Sequence, residues 1–179
     1  MSSLYLIKRA FAKFDKGCFN ELFEIFVRLQ FEFDIQAWRW WAAKDHSALE
    51  KVQRRATKLV RSESYLPYDT RLSNLDLFPL DHRQVRGDLI QALRMLRGQD
   101  CCLALDDFFE LAITTSLRGH PLKLRATVAR LDARRFFFSN RVIKTWNALP
   151  ADIIMSPSVD IFKRKFNQYS HKYHHDIRN

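Results

Sequence analysis

Asp106 and Asp107 are adjacent carboxylates that follow the apolar run Leu103-Ala104-Leu105. Paired carboxylates can hold two divalent metal ions for phosphoryl transfer. That chemistry also needs a further carboxylate from a separate strand and rigid flanking strands, whereas residues 4–98 follow helical patterns. We therefore expect Asp106 and Asp107 to stabilise the start of a helix, where negative side chains are favoured.

Cysteine and histidine residues form a second candidate site. Cys18 and the adjacent pair Cys101-Cys102 cannot form an evenly paired disulfide framework and show no Cys-x-x-Cys spacing for zinc. Three tail histidines could join the cysteine pair around a metal ion: His171, His174 and His175. We instead expect the histidines to be solvated and the cysteines to be buried as small apolar side chains, with no metal and no cofactor. Free cysteines fit a reducing intracellular setting, either the nucleus or the cytoplasm.

The motifs of common catalytic sites are absent from the sequence. There is no Gly-x-Ser-x-Gly, no glycine-rich phosphate loop and no His-Glu-x-x-His. We therefore name no catalytic residues and expect that the chain is not an enzyme on its own.

The charge balance favours an anionic partner. Lys and Arg number 30 against 20 Asp and Glu, which gives a formal net charge of +10. Nucleic acid is the usual partner of such a surface, with an anionic membrane or mere solubility as alternatives. The most apolar stretch, residues 19–33, contains Glu21, Glu24 and Arg28, so we expect no membrane span.

Two predicted helices carry these cations. Ser47 and Glu50 fit a capping box for a helix that runs to Val60. Its cations lie opposite its apolar arc: Lys51, Arg54, Arg55, Lys58 and Arg61. A second helix begins after Phe78-Pro79 and is predicted to end at Gly98. Its apolar face comprises Val85, Leu89, Ala92, Leu93 and Leu96, and its basic strip comprises Arg83, Arg86, Arg94 and Arg97. Two such strips on adjacent helices could line one groove.

The remaining patterns predict an all-α fold. Only 4 Gly and 5 Pro occur, against 47% hydrophobic residues, which favours long helices. Further helices are predicted from Leu4 to Phe14, from Phe19 toward Trp38, over 70–75, over 138–149 and after Ser158. Phe19 and Phe23 are expected to face inward on the second of these helices, and Trp146 is expected to lie in the core. Alternating residues make 122–128 the only fair candidate for a strand or hairpin. We expect a helical bundle over 1–98, a helical extension over 99–179 that packs on it, and a ragged tail at 171–179.

Seven motifs occur in an order found in one known family. They are FVR through FEF to QAW at 26–38, LEKVQRRATKLV at 49–60, LPYDTRL at 66–72, LFPLDHRQVRGDLIQALRML at 77–96, LRGHPLKL at 117–124, FFSNRVIKTWNALP at 137–150 and SVDIFKRKF at 158–166. Together they resemble the region after the palm in non-LTR retrotransposon (LINE) reverse transcriptases, in particular Jockey-like elements. Family members usually carry Pro and Tyr where this chain has Leu29 and Phe33, as in a diverged copy.

The resemblance implies a thumb and the segments that follow it, without the catalytic palm. The intact enzyme nicks target DNA and copies its RNA there, and its thumb holds the template–primer duplex. The implied partners are RNA, an RNA–DNA or DNA duplex, and the palm of the parent polymerase. Met1 is then an internal or a chance start within a degenerate element. Trp38, Trp40 and Trp41 could stack on bases, although core packing is the more common role. The alternative to nucleic-acid binding is a helical protein-interaction module or an inert remnant.

Overall fold

The computed structural model describes residues 15–23, 25, 43–99, 104–112, 119–126 and 137–176, without the side chains of 43–46 and 171–176. Some predictions lie outside the described residues. They are the helix from Leu4 to Phe14, the run from Phe26 to Trp38, the Cys101-Cys102 pair and the side chains of the tail histidines. Trp40 and Trp41, which with Trp38 are the candidate stacking residues, also lie outside the described residues.

Seven α-helices occupy the described ranges, and the all-α prediction is confirmed. They are α1 (Lys16–Leu22), α2 (Ala43–Thr57), α3 (Tyr68–Asn74), α4 (Leu80–Leu96), α5 (Phe138–Ala148), α6 (Ala151–Ile154) and α7 (Val159–Asp176). A 3-10 turn covers Leu105–Asp107. No helix within these ranges is long and apolar enough to cross a membrane.

The chain divides into two compact units, Met1–Gln84 and Val85–Asn179, and the boundary falls inside α4. The division at 98/99 expected from the sequence stays a prediction, as does the ragged tail, although α7 extends to Asp176. Each unit has its own cluster of buried apolar side chains.

The first unit is built around aromatic and aliphatic side chains from α1 to α4. Asp15 caps α1, because its Oδ1 accepts a hydrogen bond from the backbone N–H of Cys18 at 2.8 Å. Phe19 and Phe23 are buried as predicted, and their ring centroids lie 5.3 Å apart. The other buried members of this core are Ala56, Val60, Leu75 and Leu80.

Helix α4 follows the sequence prediction closely. It begins directly after Pro79, and Leu89, Ala92 and Leu93 are buried. It ends at Leu96, and Gly98 follows just beyond it with a φ of 61°, in the left-handed region. Gly98 N–H donates to Met95 at 3.0 Å, and Gln99 N–H donates to Arg94 at 2.9 Å. This pair of hydrogen bonds satisfies carbonyls that the helix end would otherwise leave without donors.

Trp146 of α5 is fully buried in the core of the second unit, as the sequence predicted. A buried ion pair joins α5 to α4: Arg141 Nε and Nη2 donate to the two carboxylate oxygens of Asp88 at 2.8 and 2.7 Å. The two side chains are only 5% and 6% exposed. Such a bidentate geometry is needed to offset the cost of removing both charges from water.

The segment 119–126 lies against the end of α5, so two of the quoted motifs meet in the fold. The Asn147 amide accepts from Leu124 N–H at 2.9 Å and donates to Leu124 O at 2.8 Å. Trp146 Nε1 donates to Leu122 O at 2.8 Å. The Asn147 amide thus pairs with the backbone N–H and C=O of Leu124, which a neighbouring strand would otherwise occupy. The segment makes a single antiparallel bridge, from Leu124 to Leu111, and the described residues contain no strand.

Two glycines give opposite predictions for stability. Gly98→Ala should lower the free energy of unfolding by about 1 kcal/mol, because an L-residue with positive φ is strained. Gly17→Ala should raise it by about 0.5–1 kcal/mol, because Gly17 is helical and an added Cβ would meet nothing within 4 Å. Urea unfolding midpoints measure both changes, and shifts in the same direction would contradict the assigned backbone conformations.

His120 should make stability depend on pH. Its ring is buried, and burial lowers the pKa of His120 below the ordinary value of 6.5, against the raising effect of its 3.1 Å contact with Trp146 O. The unfolded chain therefore binds an extra proton below about pH 6.5, and the folded state loses stability there by up to about 1.4 kcal/mol per pH unit.

The test is the slope of unfolding free energy against pH. His120→Gln keeps a donor for Trp146 O but cannot titrate, so its slope below about pH 6.5 should be flatter than that of the wild type. The remaining histidines are common to both proteins and cancel in the comparison. Equal slopes would show that His120 titrates alike in the folded and unfolded chains.

Candidate nucleic-acid interface

Five cations of α2 and the turns after it form one candidate site, here called the α2 basic surface. They are Lys51, Arg54, Arg55, Lys58 and Arg61. All five are exposed, and in the described part of the chain none forms an ion pair. The opposite face of α2 is buried through Gln53, Ala56 and Thr57. The predicted separation of a cationic from a core-facing side is therefore present.

The predicted start of this helix is wrong. Helix α2 begins at Ala43, so Ser47 lies within the helix and does not cap it. Glu50 has a different role: its Oε1 accepts from Tyr68 Oη at 2.5 Å, and its Oε2 accepts from the Leu80 N–H at 3.3 Å. The carboxylate thus lies at the start of α4, where a helix end is electropositive.

The predicted end of the helix is also wrong. Helix α2 ends at Thr57 and not at Val60, so Lys58 and Arg61 lie in the turns that follow. The physical reason is that Arg71, which lies on α3, provides the donors at this helix end. A partner from another element was not visible in the helical spacing.

Arg71 is a buried cation, only 3% exposed. Its Nε donates to Thr57 Oγ1 at 3.1 Å, its Nη1 to Leu66 O at 2.7 Å and its Nη2 to Arg54 O at 3.4 Å. Carbonyl oxygens at the C-terminal end of a helix carry partial negative charge. The buried guanidinium therefore neutralises the end of α2 and determines where the chain turns toward α3.

Tyr68 connects the basic surface to this buried network. Arg54 Cζ lies 4.4 Å from the centroid of the Tyr68 ring, and Arg71 Cζ lies 5.5 Å from it. Burial, then the hydrogen bond to Glu50 and the charge of Glu50, raise the pKa of the Tyr68 hydroxyl well above its ordinary range. The hydroxyl therefore remains a donor, and the ring under Arg54 stays uncharged and fixed in place.

The second basic strip is less uniform than the first. Arg83 is partly buried, and its Cζ lies 6.0 Å from the centroid of the Phe23 ring. Arg86 is also partly buried, with Nη1 3.5 Å from Asn167 Oδ1. Only Arg94 of these three is exposed, in the last turn of α4. A groove shared by the two strips stays a prediction.

The carboxylate pair lies apart from these cations in the sequence. Asp106 and Asp107 belong to the 3-10 turn Leu105–Asp107, and both are exposed. Across the described ranges no group of three or more His, Cys, Asp or Glu side chains is arranged to bind a metal ion.

Sequence reasoning did not single out Tyr68 and Arg71 as supports of the basic surface. Both occur in the motif LPYDTRL, which was the only signal that pointed to them. Their partners lie on α2 and in the loop before α3, and no periodic pattern encodes such contacts.

No known family model, curated protein or solved structure was found to match the chain. The function is therefore argued from the chemistry of the surface and from the order of the sequence motifs.

Replacement of Arg71 should destabilise the protein more than any change in the exposed cations. Arg71→Met removes the donors for Leu66 O and Arg54 O, and should cost about 2–3 kcal/mol in the free energy of unfolding. Arg71→Lys should cost less, because one ammonium retains the charge but cannot reach every oxygen. Chemical denaturation measures both, and a variant as stable as the wild type would contradict this role for Arg71.

Proposed function

We propose that this chain binds the phosphate backbone of nucleic acid, as RNA or as an RNA–DNA or DNA duplex, through the α2 basic surface. The observation that carries the proposal is a set of five exposed cations without carboxylate partners in the described residues. Cations spread along a helix face and its exit turns can contact successive phosphates without reading base sequence.

We further propose that the chain derives from the thumb and post-thumb region of a non-LTR retrotransposon reverse transcriptase. The ordered motifs support this origin, and the template–primer duplex and the palm of the parent enzyme would then be its partners. In this proposal the chain binds nucleic acid, and the chemistry of polymerisation belongs to the palm of the parent enzyme. Arg83, Arg86 and Arg94 are secondary contacts, of which the exposed Arg94 is the strongest candidate.

A salt series with an RNA–DNA hybrid tests the proposal. Each phosphate that a cation neutralises makes the slope of log affinity against log salt more negative by about 0.9, so the five cations should together give a slope of about −4.5. The variant Arg54→Gln, Arg55→Gln, Lys58→Gln should bind more weakly and lose up to about 3 units of that slope.

A second triple variant provides the matched control. Lys16→Gln, Lys144→Gln, Arg164→Gln removes the same charge from exposed positions outside the surface. If both triple variants weaken binding equally, the net charge and not the α2 basic surface is responsible. Binding that is insensitive to salt would instead favour the protein-interaction alternative, and no binding by a folded chain would favour an inert remnant.

A further inference from the structure

Tyr65 is the most exposed of the large apolar side chains in the described part of the chain, at 79%. It lies in the turns between α2 and α3, which also carry Lys58 and Arg61. Unlike Tyr68, whose ring is covered by Arg54, Tyr65 makes no ring contact with any described residue. Both faces of its ring are therefore open to a ligand.

The backbone that carries Tyr65 is anchored on both sides. Glu63 is buried, and its two carboxylate oxygens lie 3.3 and 3.0 Å from Asn74 Nδ2. Leu66 N–H donates to Glu63 O at 3.1 Å, and Leu66 O accepts from Arg71 Nη1 at 2.7 Å. Because its neighbours are fixed, the backbone at Tyr65 would lose little conformational freedom when a ligand covers the ring.

The surroundings define the class of ligand. Lys58 and Arg61 are exposed and have no ion-pair partner among the described residues, so they favour an anion. An open phenol ring favours a flat partner that can stack on it. A single-stranded nucleic-acid segment offers both, since each nucleotide carries one phosphate and one base with an accessible face.

We infer that Tyr65 is a stacking site for an unpaired nucleobase beside the duplex that the α2 basic surface binds. This inference rests on the proposed function and extends it from the duplex to the strand that leaves it. The chain would thus prefer a duplex with a single-stranded overhang to a blunt duplex.

Binding of RNA–DNA hybrids with and without a short overhang tests the inference. The wild-type chain should bind the overhang substrate about tenfold more tightly than the blunt one at equal salt, as expected for one base stacked on an aromatic side chain. Tyr65→Ala should abolish this preference, and Tyr65→Phe should retain it. Phe137→Ala, which removes another exposed aromatic ring, should leave the preference unchanged.

An overhang of abasic nucleotides separates stacking from charge. It keeps the phosphates but lacks the bases. The wild type should therefore gain from it only the affinity that the extra phosphates provide, and Tyr65→Ala should bind it as tightly as the wild type does. A preference that survives Tyr65→Ala, or that persists with abasic nucleotides, would overturn the inference. Neither result would contradict duplex binding by the α2 basic surface. Binding of the blunt hybrid that does not weaken with added salt would instead overturn the proposed function itself.

Discussion

The buried guanidinium of Arg71 is the interaction on which the first unit most depends. A buried cation usually requires a carboxylate, because the loss of hydration costs several kcal/mol. Here the compensating oxygens are two carbonyls and a threonine hydroxyl, and Arg54 O and Thr57 belong to the negative end of α2. Glu50 mirrors this arrangement, since its carboxylate lies at the positive start of α4. The buried charge of Arg71 and the partly buried charge of Glu50 are thus balanced largely by helix ends.

This way of balancing charge has a consequence for the surface. Because Arg71 is balanced by carbonyl and hydroxyl oxygens, its burial does not place a carboxylate beside the exposed cations of α2. The carboxylate of Glu50 in turn accepts hydrogen bonds from Tyr68 and from the Leu80 N–H. The five cations of the α2 basic surface therefore form no ion pair among the described residues, although the unit contains acidic residues. The same contacts that stabilise the unit thereby preserve a surface suited to a polyanion.

The sequence predicted those parts of the fold that depend on local spacing. The core face of α4, its stop at Gly98 and the burial of Trp146 all follow from periodicity and glycine chemistry. The ends of α2 and the way the segment 119–126 lies against α5 could not be predicted, because Arg71 and Asn147 reach them from distant positions. Periodicity likewise identified an exposed cationic face on α2, but it could not indicate that Tyr68 underlies Arg54.

Like charges along α2 are mildly unfavourable in the absence of a ligand. Lys51 and Arg55 lie one helical turn apart and repel each other by a few tenths of a kcal/mol. The contact of Arg54 with the Tyr68 ring contributes about 0.5–1 kcal/mol in the opposite sense. Anchored ends and this ring therefore keep the cations close together despite their repulsion. A phosphate backbone along α2 would turn that repulsion into attraction, so that binding and the stability of this unit are coupled.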